Sequence, residues 1–119
     1  MIKLENVTKF YNSKGIITHA LKNINLELYK NEFVAICGPS GSGKSTLIKM
    51  LYREEKPTKG TVMVGGVNVG KLKNRKVYKF RRKVGIVFQD FKLLPNLTAY
   101  ENVAFALECV GDKGVDIRP

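Results

Sequence analysis

The sequence offers little to a soft metal: two cysteines and a single histidine. These cannot by themselves assemble the ligand set of a structural zinc site. Cys37 and Cys109 lie far apart, each in an apolar stretch, and read as reduced thiols buried in a core. Long apolar runs are also missing. Stretches such as Phe33 to Cys37 fall far short of the ~18 residues a membrane-spanning helix needs. Met1-Ile2-Lys3-Leu4-Glu5 contains no apolar region of the secretory type. A reducing, cytoplasmic setting is therefore expected. Acidic residues are scarce as well, with 10 Asp plus Glu against 21 Lys plus Arg, a net charge of +11. Such an excess favours a phosphate-bearing partner, without choosing between a nucleotide, a nucleic acid and an anionic membrane surface. Neither an internal repeat nor a low-complexity segment is present. At 119 residues, 44% hydrophobic and 26% charged, the chain holds one globular domain at most.

The pattern along the chain is that of mixed α/β structure. Ile2 to Val7 alternates apolar and polar, as do Ile24, Leu26 and Leu28 with their neighbours, and Asn12-Ser13-Lys14-Gly15 between them reads as a turn. An antiparallel pair is expected. Phe33-Val34-Ala35-Ile36-Cys37 is apolar throughout, the mark of a strand covered on both faces. A glycine-rich loop follows, then a helix with Leu47, Ile48 and Leu51 at helical spacing. Residues 61–64 and 67–69 flank Gly65-Gly66 as a small hairpin. Val84-Gly85-Ile86-Val87-Phe88 is a second apolar strand, and Gln89 to Pro95 is a loop. A helix then runs from Ala99 to about Val110, capped by Thr98 with Glu101 completing a capping box. Tyr100, Val103, Leu107 and Val110 line one of its faces, and residues 111–114 break it.

The loop carries the strongest chemical signal. Gly38-Pro39-Ser40-Gly41-Ser42-Gly43-Lys44-Ser45 fits G-x-x-x-x-G-K-[ST] in full, between an expected strand and an expected helix. Glycines let the backbone turn tightly and aim amide N–H groups inward. Those amides and the positive end of the helix form an anion site. Lys44 is placed to reach the β- and γ-phosphates, the Ser45 hydroxyl to ligate Mg²⁺, and Thr46 to donate to a phosphate oxygen. A plain glycine turn before an amphipathic helix would not require lysine and serine after Gly43.

In order, the antiparallel pair bearing Tyr11, the run Gly38 to Thr46, and Val84-Gly85-Ile86-Val87-Phe88-Gln89-Asp90 resemble the ATP-binding domain of ABC transporters, over essentially all 119 residues. The resemblance implies an α/β, ABC-type P-loop NTPase fold. Residues 1–119 would form the amino-terminal part of one domain, an antiparallel β subdomain plus an incomplete parallel core sheet with helices. It implies ATP and Mg²⁺ as cofactors, Tyr11 stacked on adenine, and residues Gly38, Pro39, Ser40, Gly41, Ser42, Gly43, Lys44, Ser45 and Thr46 around the phosphates. Gln89 would touch Mg²⁺ and the attacking water and relay nucleotide state to a membrane partner. Lys44 and Gln89 are then the catalytic candidates, with Ser45 and Gln89 at the metal. By their own chemistry, Tyr11 could instead be a surface aromatic closing a strand, and Gln89 a polar residue capping one, the less favoured reading of each.

Leu51-Tyr52-Arg53-Glu54-Glu55, Phe80-Arg81-Arg82-Lys83-Val84-Gly85, and the stretches 88–95 and 100–108 resemble the FtsE-like cell-division branch. Members of that branch pair with an FtsX-like integral membrane protein. The resemblance implies docking near Gln89 and the following helix, a homodimer of complete domains, and a cytoplasmic, peripheral place on the inner face of the cell membrane. The family's Leu-Ser-Gly-Gly-Gln-like signature, the apolar strand ending Asp-Glu, and the switch histidine do not occur after residue 90. His19 precedes the phosphate loop and reads as a solvated strand-edge residue. This chain alone is thus expected to bind ATP without hydrolysing it. Other ABC exporters or importers and a DNA-maintenance ATPase of the same fold are alternatives. A soluble P-loop kinase or GTPase would bring a substrate lid and, for GTP, an Asn-Lys-x-Asp-like base reader, and neither occurs. Residues 71–83 contain eight Lys or Arg and no acid, with Val77, Phe80 and Val84 near helical spacing. They read as a solvated helix face, a contact for anionic headgroups, or, least favoured, a nucleic-acid surface.

Overall fold

Lys14 and Gly15 both take positive φ, 50° and 83°. That is the turn geometry matching the twist of an antiparallel hairpin. It joins β1 (Ile2–Ser13) to β2 (Ile16–Leu28). A computed structural model describes residues 1–111, which divide into two compact units meeting between Val84 and Gly85. In the first unit the hairpin is extended by β3 (Lys59–Val64) and β4 (Val67–Asn68), giving one antiparallel sheet in the order β2-β1-β3-β4. Gly65 and Gly66, with φ of 55° and 80°, form the second tight turn.

Leu4 pairs with Leu26 on one side and Val62 on the other, so an apolar row crosses three strands. Val7, three residues on, reaches the same core because Asn6 adopts φ 50° where both pairings shift register. This bulge resets the alternation of faces. Its polar groups are satisfied locally: Asn6 N donates to Asn25 Oδ1 (2.9 Å) and Asn23 N to Thr8 Oγ1 (3.1 Å). Leu47 and Met50 of α1 (Lys44–Leu51), Val69 of a short 3-10 turn (Val69–Lys71) and Phe80 of α2 (Asn74–Arg81) complete the cluster. Val7, Met50 and Val62 are fully buried. The inward face of α1 is therefore Leu47 and Met50, with Leu51 half-buried, while Ile48, expected inside, is 41% exposed.

Two expected strands do not form. Residues 33–37 and 84–88 carry no regular secondary structure, and no strand among the described residues pairs with either. Phe33 and Val87 are almost wholly exposed. An apolar run makes a strand only where neighbours supply its ladder and cover its faces. Cys37 and Cys109, expected to be buried, are both exposed; Cys37 ends the unpaired stretch 33–37. The α/β class stands, with the antiparallel sheet built and its helices in place.

In the second unit, α3 (Ala99–Val110) starts and stops as its sequence dictates. Thr98 Oγ1 accepts from Glu101 N, Glu101 Oε2 accepts from Thr98 N, and Gly111 closes the helix with φ 77°. Residues 112–119 lie outside the described residues. Of the face expected to be apolar, Leu107 is half-buried, while Tyr100, Val103 and Val110 are exposed. Replacing Thr98 by alanine is expected to cost about 1 kcal/mol of α3 stability, read as faster amide exchange confined to residues 99–103. The Thr98 backbone N–H, then its hydroxyl, hold the Glu101 carboxyl below its usual range. A lowered folded pKa means the cap contributes fully above the carboxylate's ordinary value. The contribution fades as pH falls through the lowered one. Helix protection should drop over that acid window in the parent, less steeply in Thr98→Ala, which keeps the backbone donor, and not at all in Glu101→Gln.

Candidate functional site

The phosphate-type loop sits between the hairpin and the core. Leu47 N donates to Gly43 O (3.0 Å), opening α1, and Ser42 N to Pro39 O (3.2 Å), folding the loop. Gly43 has φ 95°, and a Cβ there would stand 2.5 Å from Ala20 O and 2.8 Å from Leu21 Cδ2. Only glycine allows the loop this close to β2. Ala20 is the extra residue where Lys9–Leu21 pairing gives way to Phe10–His19, so the loop packs on a bulge. Gly38 is tight for a softer reason: its Cβ would meet the end of the Ser42 side chain at 2.7 Å. Gly41, at φ 79°, faces open space.

Lys44 is half-buried and turns back over the loop. Its ammonium donates to Gly38 O (2.6 Å), Pro39 O (2.8 Å) and Ser42 Oγ (3.3 Å). An ammonium has three donors, and all three are directed at the loop. No side chain caps the amino terminus of α1. The amides of its first turn, which have no partner within a helix, therefore stand beside that cation. Ser45 is exposed and Thr46 half-buried on this first turn, and Pro39, Ser40 and Ser42 are exposed. A helix amino end beside a fixed ammonium is the donor set of an anion cradle. Among the described residues no group of three or more His, Cys, Asp or Glu could hold a metal. The cradle's oxygens, with Ser45 foremost, fit a Mg²⁺ that arrives coordinated to phosphate rather than one held by a protein cage.

Tyr11 lies on β1 opposite Thr18, two residues before the Ala20 that the loop touches. Its ring is 39% exposed, and the Lys9 ammonium stands 5.0 Å from its centroid. It is thus an accessible aromatic on the same end of the hairpin as the loop. His19 is exposed on the edge strand β2, as expected, and tilts against Phe10 at 5.8 Å.

Gln89 belongs to the second unit and is exposed. Beyond it, Lys92 Nζ pairs with Asp90 Oδ2 (2.9 Å), and the Lys92 hydrogen bond keeps the Asp90 carboxyl below its usual range. Asn102 organises the following loop, a role the sequence reading missed. Its Oδ1 accepts from Leu94 N (2.8 Å), and its Nδ2 donates to Leu94 O (3.2 Å), Leu97 O (3.2 Å) and Thr98 O (2.9 Å). An asparagine four residues after an N-cap was the available signal. The loop so held forms an apolar groove of about 790 Å³, lined mainly by Leu93, Leu94, Pro95, Leu97, Val103 and Leu107. No helix among the described residues is long and apolar enough to cross a membrane.

Comparison with known proteins agrees with this arrangement. A family model described as ABC transporter matches residues 21–118. The chain is 50% identical over 113 residues to the cell division ATP-binding protein FtsE of Bacillus subtilis, covering 95% of this chain and 48% of that protein. It is 47% identical over 108 residues to the methionine import ATP-binding protein MetN of Helicobacter pylori, covering 91% of this chain and 32% of that one. A solved dimeric structure of the ATP-binding cassette MJ0796, in a post-hydrolysis state bound to ADP and Pi, superposes with a TM-score of 0.86. Its identity is 47%, over 92% of this chain and 47% of that one. The chain spans about half the length of the FtsE and MJ0796 relatives it matches.

Proposed function

This chain belongs to the ABC transporter family, and from that premise we propose that it is the amino-terminal part, residues 1–119, of one ATP-binding domain that takes up Mg²⁺-ATP at the Gly38–Thr46 loop. One observation carries the reading: the Lys44 ammonium fixed by Gly38 O and Pro39 O beside an uncapped helix amino end. In this assignment the loop amides and Lys44 hold the phosphates, Thr46 donates to one of their oxygens, and the Ser45 hydroxyl faces Mg²⁺. The metal would neutralise phosphate charge. Tyr11 offers its exposed face to the base. Gln89 contacts the metal-bound nucleotide and signals to a partner.

The relatives suggest the setting. Similarity to FtsE supports a subunit coupling ATP to an integral membrane partner in cell division, an FtsX-like protein, at the inner face of the membrane. The apolar groove just beyond Gln89 supports docking there. The dimeric cassette supports pairing of complete domains. Similarity to MetN favours an importer as the second reading, and co-purification with a division protein or a permease separates the two.

Lys44→Ala tests the assignment. Removing an ammonium that makes charge-assisted bonds, each worth ~1.5–3 kcal/mol, should weaken Mg²⁺-ATP binding by at least about 100-fold in titration calorimetry. Undiminished affinity would overturn the site.

A further inference from the structure

Between residues 56 and 84 the chain carries ten Lys or Arg and no acid. The structure sorts these cations by task. Arg81 is committed inward, donating to Tyr52 O (3.0 Å) and Arg53 O (3.1 Å). Arg75, Lys76 and Lys79 on α2, with Lys71, Lys73 and Lys83 beside it, are exposed and form no ion pair among the described residues. They are not mobile decoration on a loose helix. Val77 and Phe80 pin α2 to the core, and Arg53 ties its entry through Leu72 O and Asn74 Oδ1. The basic ridge therefore keeps one orientation. Tyr78 stands among the cations, 51% exposed, with Lys79 Nζ 5.9 Å and the Arg82 guanidinium 5.2 Å from its ring.

We propose that this face of α2 rests on an anionic lipid surface, its lysines and Arg75 against phosphate headgroups and Tyr78 in the interfacial layer. Each cation near such a surface adds attraction, and tyrosine is enriched at that depth. Nucleic acid fits less well. The one amide of α2 suited to base edges, Asn74, accepts from Arg53 through its Oδ1. The inference rests on the proposed setting beside a membrane, and not on which membrane protein the chain serves.

Flotation of the full chain with vesicles tests it, using phosphatidylcholine alone or mixed with phosphatidylglycerol. Binding is expected only to the mixed vesicles, falling as salt shortens the screening length. The triple variant Arg75→Gln, Lys76→Gln, Lys79→Gln should bind about 100-fold less, roughly fivefold per charge. A variant losing the same charge elsewhere, Lys22→Gln, Lys30→Gln, Lys59→Gln, should retain most binding, with circular dichroism matching the parent in both. Equal losses in the two triples, equal binding to neutral vesicles, no binding to mixed vesicles, or duplex DNA bound in their place would overturn the proposal. Mg²⁺-ATP affinity, measured on the same samples, should be unchanged in the ridge variant. A Lys44→Ala chain that still floats would separate this surface from the nucleotide site.

Discussion

Replacing Gly60 by alanine should destabilise the first unit by about 3 kcal/mol or more, read as a lower midpoint of urea unfolding. Gly60 has φ 89°, a conformation costly to any L side chain. A Cβ there would stand 2.3 Å from Asn6 O, 2.5 Å from Glu5 O and 2.6 Å from Asn6 C. All three are backbone atoms, so no rotamer change relieves the overlap. They also belong to the bulge that lets Leu4 and Val7 enter one core, where β1 and β3 shift register between Glu5 and Thr8. Moving β1 away from Gly60 would undo that device. Thr58 N→Thr8 O (2.9 Å) and the contact of Thr58 Oγ1 with Phe10 N (3.2 Å) would be strained with it. A loss below about 1 kcal/mol would mean that β3 can slide without cost, and the account of the bulge would be wrong.

What could be read from the sequence was local. The hairpin turn at Lys14-Gly15, the Gly65-Gly66 turn and the Thr98–Glu101 cap each depend on residues within a few positions, and each formed as expected. The glycine-rich loop before α1 was legible from its spacing; the distances that fix Lys44 were not. Hydrophobic runs misled where structure depends on distant neighbours. Residues 33–37 and 84–88 have strand composition, yet pairing partners decide whether a ladder forms. Cys37 followed its run outward. Helical periodicity in α1 named Ile48 in place of Met50, since an eight-residue helix shows two turns and several apolar faces compete. The bulge at Asn6 had no signal in alternation except the three-residue gap between Leu4 and Val7.

Arg53 was the least legible residue and carries the second large effect: Arg53→Met should cost about 3 kcal/mol. Arg53 is 7% exposed, and no carboxylate forms an ion pair with it among the described residues. Its guanidinium is satisfied by neutral oxygens: Nε donates to Val69 O (2.8 Å), and Nη2 to Leu72 O (3.0 Å) and Asn74 Oδ1 (3.4 Å). Burial first, then the neighbouring Arg81 charge, lower its pKa, so the site tolerates the cation at a cost. The backbone adds another. Arg53 has φ 67° and closes α1 with Arg53 N→Met50 O (3.3 Å) and Glu54 N→Lys49 O (2.9 Å), a helix ending that ordinarily uses glycine. An arginine accepts that conformation because its fork ties the end of α1 to the start of α2, while Arg81 returns the tie to Tyr52 O and Arg53 O. Methionine keeps the backbone strain, leaves Val69 O with only the long bond from Leu72 N (3.4 Å), and removes the guanidinium donor from Leu72 O. Lysine, a point donor, cannot reach Val69 O and Leu72 O with a planar fork, so Arg53→Lys should fall between parent and Arg53→Met. Urea midpoints in that order, with faster amide exchange across both α1 and α2, are the expected result. A methionine variant as stable as the parent would show that water replaces the fork and that the two helices are held by the apolar core alone.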